Sequence, residues 1–317
     1  MVSVSLLVVV AAFAGCVRGW GADGHRTVGF IAMEFLTPKT LAFVQNSLGT
    51  EFNRSLGTAA TWADDVKNEQ AFLWSKNLHF VDAEDDPMDG SCSVHELRDC
   101  GNQICILAAI ANYTTRLVDK SLPATETQIA LKFIGELYLL RDISQPLHVE
   151  AVAAGGNGIT VTCAGKKTNL HAIWDTNMLE LNLDAQFGGS VQSYVNSLVS
   201  RIQDDDFSEP VSQWLSCTST TEPFTVVDPS KRALHTTARH PDVARDVRAA
   251  TITPLACPLV WARESNGFDC TTVFTFRNGT DVCNTGNYLT SAIPVIDLQL
   301  ARSGLRLATW LNELLDP

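Results

Sequence analysis

The chain begins with an apolar stretch and changes abruptly at Trp20 into the polar string WGADGH. Residues 6–14 are uninterruptedly apolar, and Val17 and Gly19 are the third and first residues before Trp20, as in a cleaved secretory leader. A membrane anchor is the alternative, but the apolar stretch is shorter than the about 20 residues that a spanning helix needs. We therefore predict a signal peptide over residues 1–19 and a secreted mature chain, without a membrane anchor, whose free amine belongs to Trp20.

The composition fits an extracellular protein. Cys16 is one of nine cysteines and leaves with the leader, so an even number remains, which suits disulfides in an oxidising compartment. Asn53, Asn112 and Asn278 each open an Asn-X-Ser/Thr triplet, the acceptor for N-glycosylation. The formal net charge is −12, so the chain lacks the basic character of ordinary nucleic-acid binding proteins. An anionic substrate would need bound metal cations to attract it.

The apolar spacing predicts an all-α protein. Helix-compatible patterns cover 27–36, 40–48, 103–117, 125–143, 191–202 and 288–315. Three glycines followed by a β-branched run indicate a short β-hairpin or loop near 155–165. The pattern weakens over 204–260, which we interpret as a surface insertion in a single domain spanning 20–317.

Neutral imidazoles and carboxylates, the hard and borderline ligands that bind zinc, are concentrated in the first two thirds of the chain. They are His25, Asp64, His79, Asp142, His148, His171 and Asp175. A spacing of four on a helix puts the last two on one face, able to reach one ion. The terminal amine and carbonyl of Trp20 with His25 form a second chelating set.

Each of these residues also has an ordinary structural interpretation. A histidine and an aspartate four apart on a helix are commonly a hydrogen-bonded surface pair. Asp142 at the end of a helix is unfavourable to the helix dipole, which indicates a nearby cation, although His148 after it could simply interact with exposed carbonyls. Asp64 could be a solvated helix charge, and His79 a buried core histidine.

Read together, the segments resemble the zinc-dependent, single-strand-specific S1/P1 nuclease family of fungi and plants. The matching strings, in chain order, are WGADGH, TWADD, LHFVDAED, RDCG, AIANYT, DISQPLH, GGN and NLHAIWDT, with a looser match over 261–315. The resemblance covers most of the chain outside about 204–260. It implies a compact all-α fold, which the zinc phospholipases C share, with three zinc ions in a cleft.

The resemblance also assigns the ligands. One ion of a close pair would take Asp64 and His79, and its neighbour Trp20 and His25, with Asp142 bridging the two. The third ion would be bound by the ligand set His148, His171 and Asp175. In such a site the paired ions activate a water molecule, and the cations neutralise the phosphate as the bond to the 3′ oxygen breaks.

One position departs from the family pattern. The family has a further histidine four residues before the bridging aspartate, where this chain has Tyr138. Three outcomes are open: Tyr138 binds zinc as a phenolate, water replaces the imidazole, or the paired ion is lost and hydrolysis with it. Glu136 is two residues away from Tyr138 and would point away from the cleft, so it is not expected to substitute.

The resemblance implies a nucleotide substrate. Phe80 and Asp82 match the pair that stacks on and hydrogen-bonds a base, and Gly155 and Asn157 match the opposite wall. A stacking platform requires an unstacked base, which explains a preference for single strands. Lys67 matches a cation that stabilises charge on the reacting phosphate. The ordinary alternatives are a core aromatic for Phe80 and a solvated lysine for Lys67.

Two disulfides, Cys92–Cys270 and Cys100–Cys105, are also implied by the resemblance. For the other four cysteines the sequence allows three pairings and does not choose among them. These four are Cys163, Cys217, Cys257 and Cys283.

The sequence thus predicts a secreted, monomeric zinc-dependent endonuclease that hydrolyses single-stranded DNA and RNA to 5′-nucleotides and acts on 3′-nucleotides, with Asp64, Lys67 and Asp142 as catalytic residues. Two alternatives remain. A zinc phospholipase C would share the ligand set. A catalytically impaired, zinc-binding protein that sequesters nucleic acid is favoured by Tyr138 alone.

Overall fold

A computed structural model describes residues 20–136, 142–225, 252–277, 279–284 and 287–317. The predicted signal peptide, Tyr138, Asn278 and residues 226–251 of the predicted surface insertion lie outside these residues. The expected all-α architecture is confirmed, since the only sheet in the described residues has two strands. The α-helices are α1 Ala22–Glu34, α2 Pro38–Leu48, α3 Leu56–Ala59, α4 Trp62–Val66, α5 Glu96–Asp99, α6 Ile106–Val118, α7 Ala124–Leu131, α8 Leu170–Ala172, α9 Met178–Phe187, α10 Val191–Gln203, α11 Val211–Trp214, α12 Ala256–Thr271 and α13 Tyr288–Leu315.

The centre of the fold is the pair formed by α1 and the long C-terminal helix α13. Both are amphipathic, and α1 also packs on α3 and α10. Gly304 of α13 lies against Ile31 of α1 so closely that an added Cβ would be 2.4 Å from the Ile31 Cγ2. The absence of a side chain at Gly304 therefore sets how near the two helices approach.

The sheet is a hairpin of β1 Thr160–Cys163 and β2 Lys166–Asn169, where the sequence predicts a hairpin or loop near 155–165. Asp281 lies across its turn, and its carboxylate accepts hydrogen bonds from the backbone N–H groups of Ala164 and Gly165 at 3.0 and 2.6 Å. The disulfide Cys163–Cys283 joins the same two segments. The hairpin, which leads directly into α8, is thereby fixed to the rest of the fold.

The predicted helix over 125–143 is wrong at its C-terminal end. Regular α-helix stops at Leu131, and Lys132–Glu136 continue with wider, π-helical turns. Residues 137–141 of this predicted helix lie outside the described residues. Asp142 then lies in a 3-10 turn, Asp142–Ser144, which closes with a hydrogen bond from the Gln145 N–H to the Asp142 carbonyl. Since the residue before a proline disfavours helical geometry, Pro146 keeps Gln145 extended and separates this turn from the next, Pro146–Val149.

Helix α12 has no counterpart among the predicted helices, because its mixed sequence has a weak amphipathic pattern. It packs against both 3-10 turns, Asp142–Ser144 and Pro146–Val149. The described beginning of the predicted surface insertion also contributes to the core: Trp214 is 1% exposed, and its carbonyl accepts a hydrogen bond from Arg306 Nε. No helix in the described ranges combines the length and apolarity needed to cross a bilayer.

Four disulfides are present. Cys92–Cys270 and Cys100–Cys105 are the two pairs that the family resemblance implies. The pairing left open by the sequence is Cys163–Cys283 and Cys217–Cys257. Two of the four bridges, Cys92–Cys270 and Cys163–Cys283, join segments 178 and 120 residues apart, so they limit the freedom of the unfolded chain most.

The contact between α1 and α13 can be tested with two glycine substitutions. Gly304→Ala should lower the free energy of unfolding by about 1–3 kcal/mol, because the new methyl group must displace Ile31. Gly267→Ala in α12 is the matched control: it meets no atom within 4 Å and should raise stability by about 0.5–1 kcal/mol through helix propensity. Urea unfolding of both variants is the measurement. Equal effects at the two positions would contradict the close-packing account.

Candidate metal centre

The structure brings together the seven histidine and aspartate side chains that the sequence singles out. His25 lies on α1, Asp64 on α4, and His79 directly follows the 3-10 turn Leu73–Leu78. Asp142 and His148 lie in two 3-10 turns, His171 lies on α8, and Asp175 lies in the π-helical segment Ile173–Asn177. None of the seven side chains is more than 8% exposed. Burial of so many ionisable groups in an otherwise apolar core is costly unless charges are compensated, which makes the cluster the candidate functional site.

Asp142 lies at the middle of the cluster and is fully buried. Its Oδ1 is 3.8 Å from His25 Nε2 and its Oδ2 is 3.4 Å from His79 Nδ1. His25 Nε2 is in turn 3.4 Å from Asp64 Oδ2. A carboxylate that presents one oxygen to each of two histidines has the arrangement needed to bridge two ions.

Lys67 extends this half of the site. It is 5% exposed, and its Nζ lies 2.6 Å from Asp64 Oδ1, one turn away along the chain. Burial acts to raise the pKa of Asp64, but the hydrogen bond and charge of His25, together with the charge of Lys67, outweigh it and hold that pKa below its usual value. Asp64 is therefore kept as a carboxylate, the form that binds a cation.

The other half of the site is a triad. The donor atoms of His148, His171 and Asp175 all lie within 4.8 Å of one another, and no other trio of histidine, cysteine or carboxylate residues in the described chain does so. His171 Nε2 is 3.1 Å from Asp175 Oδ2, and His148 Nε2 is 3.9 Å from Asp175 Oδ1. The predicted spacing of four places His171 and Asp175 together, although the turn between them is partly π-helical.

The second nitrogen of each triad histidine contacts a backbone carbonyl. His148 Nδ1 is 3.0 Å from the carbonyl oxygen of His79, and His171 Nδ1 is 2.6 Å from that of Gly155. Both Nδ1 atoms therefore carry protons and donate them, so in the neutral form of both rings the Nε2 lone pairs would face each other at 3.2 Å. Two lone pairs at this distance repel unless a cation or a proton lies between them. A zinc ion fits this donor set of two nitrogens and one carboxylate.

The electrostatics give the protonation states that metal binding requires. Burial lowers the pKa of the His79 and His148 imidazoles well below the usual value. The positive charge of Lys67 adds to this effect at His79, and the positive charge of His171 adds to it at His148. These two rings are neutral and can donate a lone pair. For His171, burial acts to lower the pKa, but the charge of Asp175 outweighs it and raises the pKa, so a bound metal must displace a proton at acidic pH.

Two side chains that the sequence analysis does not single out hold predicted ligands in place. Ser144 Oγ accepts a hydrogen bond from Trp20 Nε1 at 3.1 Å, and Gln145 Nε2 donates to Asp175 Oδ1 at 2.6 Å. Ser144 and Gln145 belong to the DISQPLH string. Their position between the predicted ligands Asp142 and His148 was the sequence signal that could have identified them. Trp20 itself is fully buried, next to Gly21, whose N–H donates to the Asp175 carbonyl at 2.6 Å.

The residues predicted to bind a base lie on segments that border the triad. Phe80 follows His79 and is half-buried, and Asp82 is exposed two residues later. On the opposite segment Gly155 contacts His171, while the Asn157 side chain donates to the Ala154 carbonyl at 2.8 Å. The backbone N–H of Val81 donates to the His148 carbonyl at 2.9 Å, so the Phe80 segment runs directly along the turn that contains His148.

Some predicted residues are not placed. Tyr138 lies outside the described residues, as does the Glu136 side chain. Of the predicted glycan sites, Asn53 is exposed, Asn112 is half-buried on α6, and Asn278 lies outside the described residues.

Gly155 offers a test of the triad. Its φ is +58°, and an added Cβ would lie 2.5 Å from the Leu147 carbonyl and 3.3 Å from His171 Nδ1. Gly155→Ala should therefore shift the carbonyl that orients His171 and weaken zinc binding at the triad by about 10–100-fold. Gly165→Ala is the control, because Gly165 also has a positive φ, of +76°, but an added Cβ meets nothing within 4 Å. Calorimetric zinc titrations that give the same affinity for both variants would contradict this role of Gly155.

Comparison with known proteins agrees with this geometry. The chain is 36% identical over 305 residues to Nuclease S1 of Aspergillus oryzae. The aligned region covers 95% of this chain and 93% of that protein. It is 34% identical over 299 residues to Nuclease PA3 of a Penicillium species, with 93% and 97% covered. Endonuclease 4 of Arabidopsis thaliana is 29% identical over 308 residues, with 93% and 89% covered. The family model described as S1/P1 Nuclease matches residues 20–316, and the chain therefore belongs to the S1/P1 nuclease family.

Proposed function

We propose that this protein is a secreted, zinc-dependent endonuclease that hydrolyses single-stranded DNA and RNA to 5′-nucleotides and removes phosphate from 3′-nucleotides. Membership of the family makes the chain a nuclease, a hydrolase of phosphodiester bonds. The observation that supports the finer proposal best is the arrangement around Asp142. A single buried carboxylate faces His25 on one side and His79 on the other, next to the triad.

The proposed zinc ligands follow this division. Asp64 and His79 would hold one ion, and His25 with the terminal amine and carbonyl of Trp20 its neighbour, with Asp142 between them. The triad would hold the third ion. When bound, zinc ions lower the pKa of a coordinated water molecule and neutralise charge on a phosphate, which is the chemistry that hydrolysis of a phosphodiester needs.

The residues of the chain have separate proposed roles. Asp142 orients the two halves of the paired site. Together with His25, Lys67 keeps Asp64 ionised, and its Nζ lies 2.6 Å from Asp64 Oδ1. The ammonium group of Lys67 also adds a positive charge next to the position where the phosphate would lie. The net charge of −12 makes such local cations important, because the protein as a whole repels a polyanion.

Selectivity for single strands follows from the proposed base site. Phe80 immediately follows the ligand His79, so a base stacked on its ring would bring the neighbouring phosphate toward the metal centre. Asp82 would accept hydrogen bonds from the base edge, and Asn157 would line the opposite wall. A duplex keeps its bases stacked and paired, and removing one costs a few kcal/mol. Unpaired strands do not carry that cost.

Secretion is supported by two observations on the chain. Four disulfides form in the structure, and such bridges persist in oxidising compartments. The apolar leader before Trp20 would deliver the protein there, and its removal would create the terminal amine that the paired site uses. The residues Asn53, Asn112 and Asn278 are the proposed glycan sites, and a monomer is the proposed state.

One residue favours a second function. Tyr138 stands where the family resemblance places a histidine ligand, so the paired site would have one fewer imidazole. If the weakened site loses an ion under physiological zinc concentrations, the protein would bind single-stranded nucleic acid without cleaving it.

The activity is tested with mature protein beginning at Trp20, assayed in excess zinc on single-stranded DNA and on the same sequence as duplex. We expect wild type to cleave the single strand and leave the duplex intact, and Asp142→Asn to lose cleavage. Tyr138→His should bind zinc at the paired site about 10–100-fold more tightly and remain active at lower zinc concentrations. Tyr138→Phe is the matched variant that removes only the phenol oxygen.

The outcomes separate the two candidate functions. Wild-type protein that is inactive at every zinc concentration, while Tyr138→His cleaves, would replace the enzyme proposal with the binding proposal. Release of choline phosphate from phosphatidylcholine vesicles, without cleavage of DNA, would indicate a phospholipase C instead.

A further inference from the structure

A second cluster of acidic side chains lies behind the base-binding segment. Asp85 belongs to the loop after Phe80, Glu150 follows the triad turn, and Asp269 lies on α12. Glu150 is 1% exposed, and Asp269 is fully buried. Asn266, one turn before Asp269 on α12, is 1% exposed and completes the cluster. The proposed nuclease mechanism uses none of these four residues.

Hydrogen bonds hold one side of the cluster. Asp85 Oδ2 accepts from the Ser93 N–H at 2.7 Å and from Asn266 Nδ2 at 3.0 Å. Glu150 Oε1 accepts from the Val152 N–H at 2.7 Å. These contacts fix the orientation of Asp85, Glu150 and Asn266, so their other oxygens point to defined positions.

Those other oxygens have no hydrogen-bond donor among the described residues. They are Asp85 Oδ1, Glu150 Oε2, Asn266 Oδ1 and both carboxylate oxygens of Asp269, and all five are buried. Buried acceptors without a donor are rare, because each loses its hydration without compensation. Asn266 and Asp269 are three residues apart on α12 and share one face of that helix. Since Asn266 contacts Asp85 directly, the unsatisfied oxygens belong to one neighbourhood.

The described residues supply little positive charge to this cluster. Arg98 is close enough for the charge of Asp85 to contribute to its raised pKa, but its guanidinium donates to the carboxylate of Asp99 and the carbonyl of Ser93. Arg263 donates to the Val94 carbonyl. Burial, and then the charges of Glu150 and Asp85, raise the pKa of Asp269 well above its usual value, and the neighbouring Asn266 opposes this only in part. Burial also raises the pKa of Glu150, to about 8. Two protons, one shared between Glu150 and Asp85 and one between Asp269 and Asn266, would satisfy four of the five oxygens, whereas a bound cation could satisfy all five.

We propose that Asp85, Glu150, Asn266 and Asp269 form a buried calcium site. The donors are all oxygens, the ligands that Ca²⁺ prefers, whereas zinc sites contain nitrogen or sulfur. The three carboxylates of the cluster do not form a trio whose donor atoms lie within 4.8 Å of one another. A bound ion with bonds of about 2.3–2.6 Å would therefore draw them closer or complete its shell with water molecules.

The position of this site gives it a structural role. The segment of Asp85 and that of Glu150 run side by side, joined by the hydrogen bond from the Ala151 N–H to the Ala83 carbonyl at 3.2 Å. Asp82 precedes Asp85 by three residues, and His148 precedes Glu150 by two. A cation bound between these segments and α12 would brace the wall of the metal centre from behind. The disulfide Cys92–Cys270 fixes the same end of α12.

Equilibrium dialysis with radioactive calcium tests the site directly, independently of any substrate. Zinc-saturated mature protein in calcium-free buffer should bind one Ca²⁺ per chain with a Kd of about 10⁻⁴–10⁻³ M, as extracellular calcium sites do. Asp269→Asn, which keeps the size of the side chain, should weaken binding at least about tenfold. Asp206→Asn is the matched control, since it removes the same charge from an exposed position and should bind calcium like wild type.

Thermal unfolding of the wild type provides a second measurement that does not depend on the variants folding. Calcium at tenfold its Kd should raise Tm by about 2–4 °C, and magnesium at the same concentration should raise it less. The proposal is overturned if wild type binds no calcium at about 10 mM, well above the range of extracellular sites. It is equally overturned if Asp269→Asn binds as tightly as wild type. Loss of nuclease activity with intact calcium binding would count against the proposed function alone.

Discussion

The rest of the structure depends on the burial of Asp142. A buried carboxylate needs compensating positive charge or hydrogen bonds, and imidazole nitrogens of His25, His79 and His148 lie 3.8, 3.4 and 3.8 Å from its oxygens. Burial lowers the pKa of His79 and of His148, so these two rings are neutral and do not supply the charge. The physical solution that agrees with the proposed function is a pair of cations, one on each side of Asp142. Each surrounding ligand is then placed to complete the shell of one of them.

The fold makes this burial possible by bringing short elements together rather than by extending long ones. His25 lies in the first turns of α1, whose other face packs on α13. Asp142 and His148 lie on two 3-10 turns that α12 supports from behind. Backbone carbonyls of His79 and Gly155 orient the two triad imidazoles, so the positions of the ligands are set by main chain as well as by side-chain packing. This rigidity favours a fixed arrangement of metal ions over an adaptable one.

Much of the site could be predicted from sequence, because its ligands stand in short strings in which local spacing decides which side chains meet. The pair His171 and Asp175 shows this, since any helical turn brings residues four apart together. The ends of the segment around Asp142 could not be predicted, because apolar spacing continues past the point where the regular helix α7 stops. The pairing of Cys163 with Cys283 depends on the hairpin meeting a segment 120 residues away, a tertiary contact without a local signal. The cluster around Asp269 was missed for the same reason, since its members are ordinary acidic residues until α12 is placed against the loop of Asp85.

The most direct test of the central claim is anomalous X-ray diffraction at the zinc absorption edge from crystals of the mature protein grown in excess zinc. The account predicts three anomalous peaks, two flanking Asp142 and one among His148, His171 and Asp175. A single peak at the triad, with none beside Asp142, would contradict it, because the buried carboxylate would then be balanced by something other than a pair of metal ions.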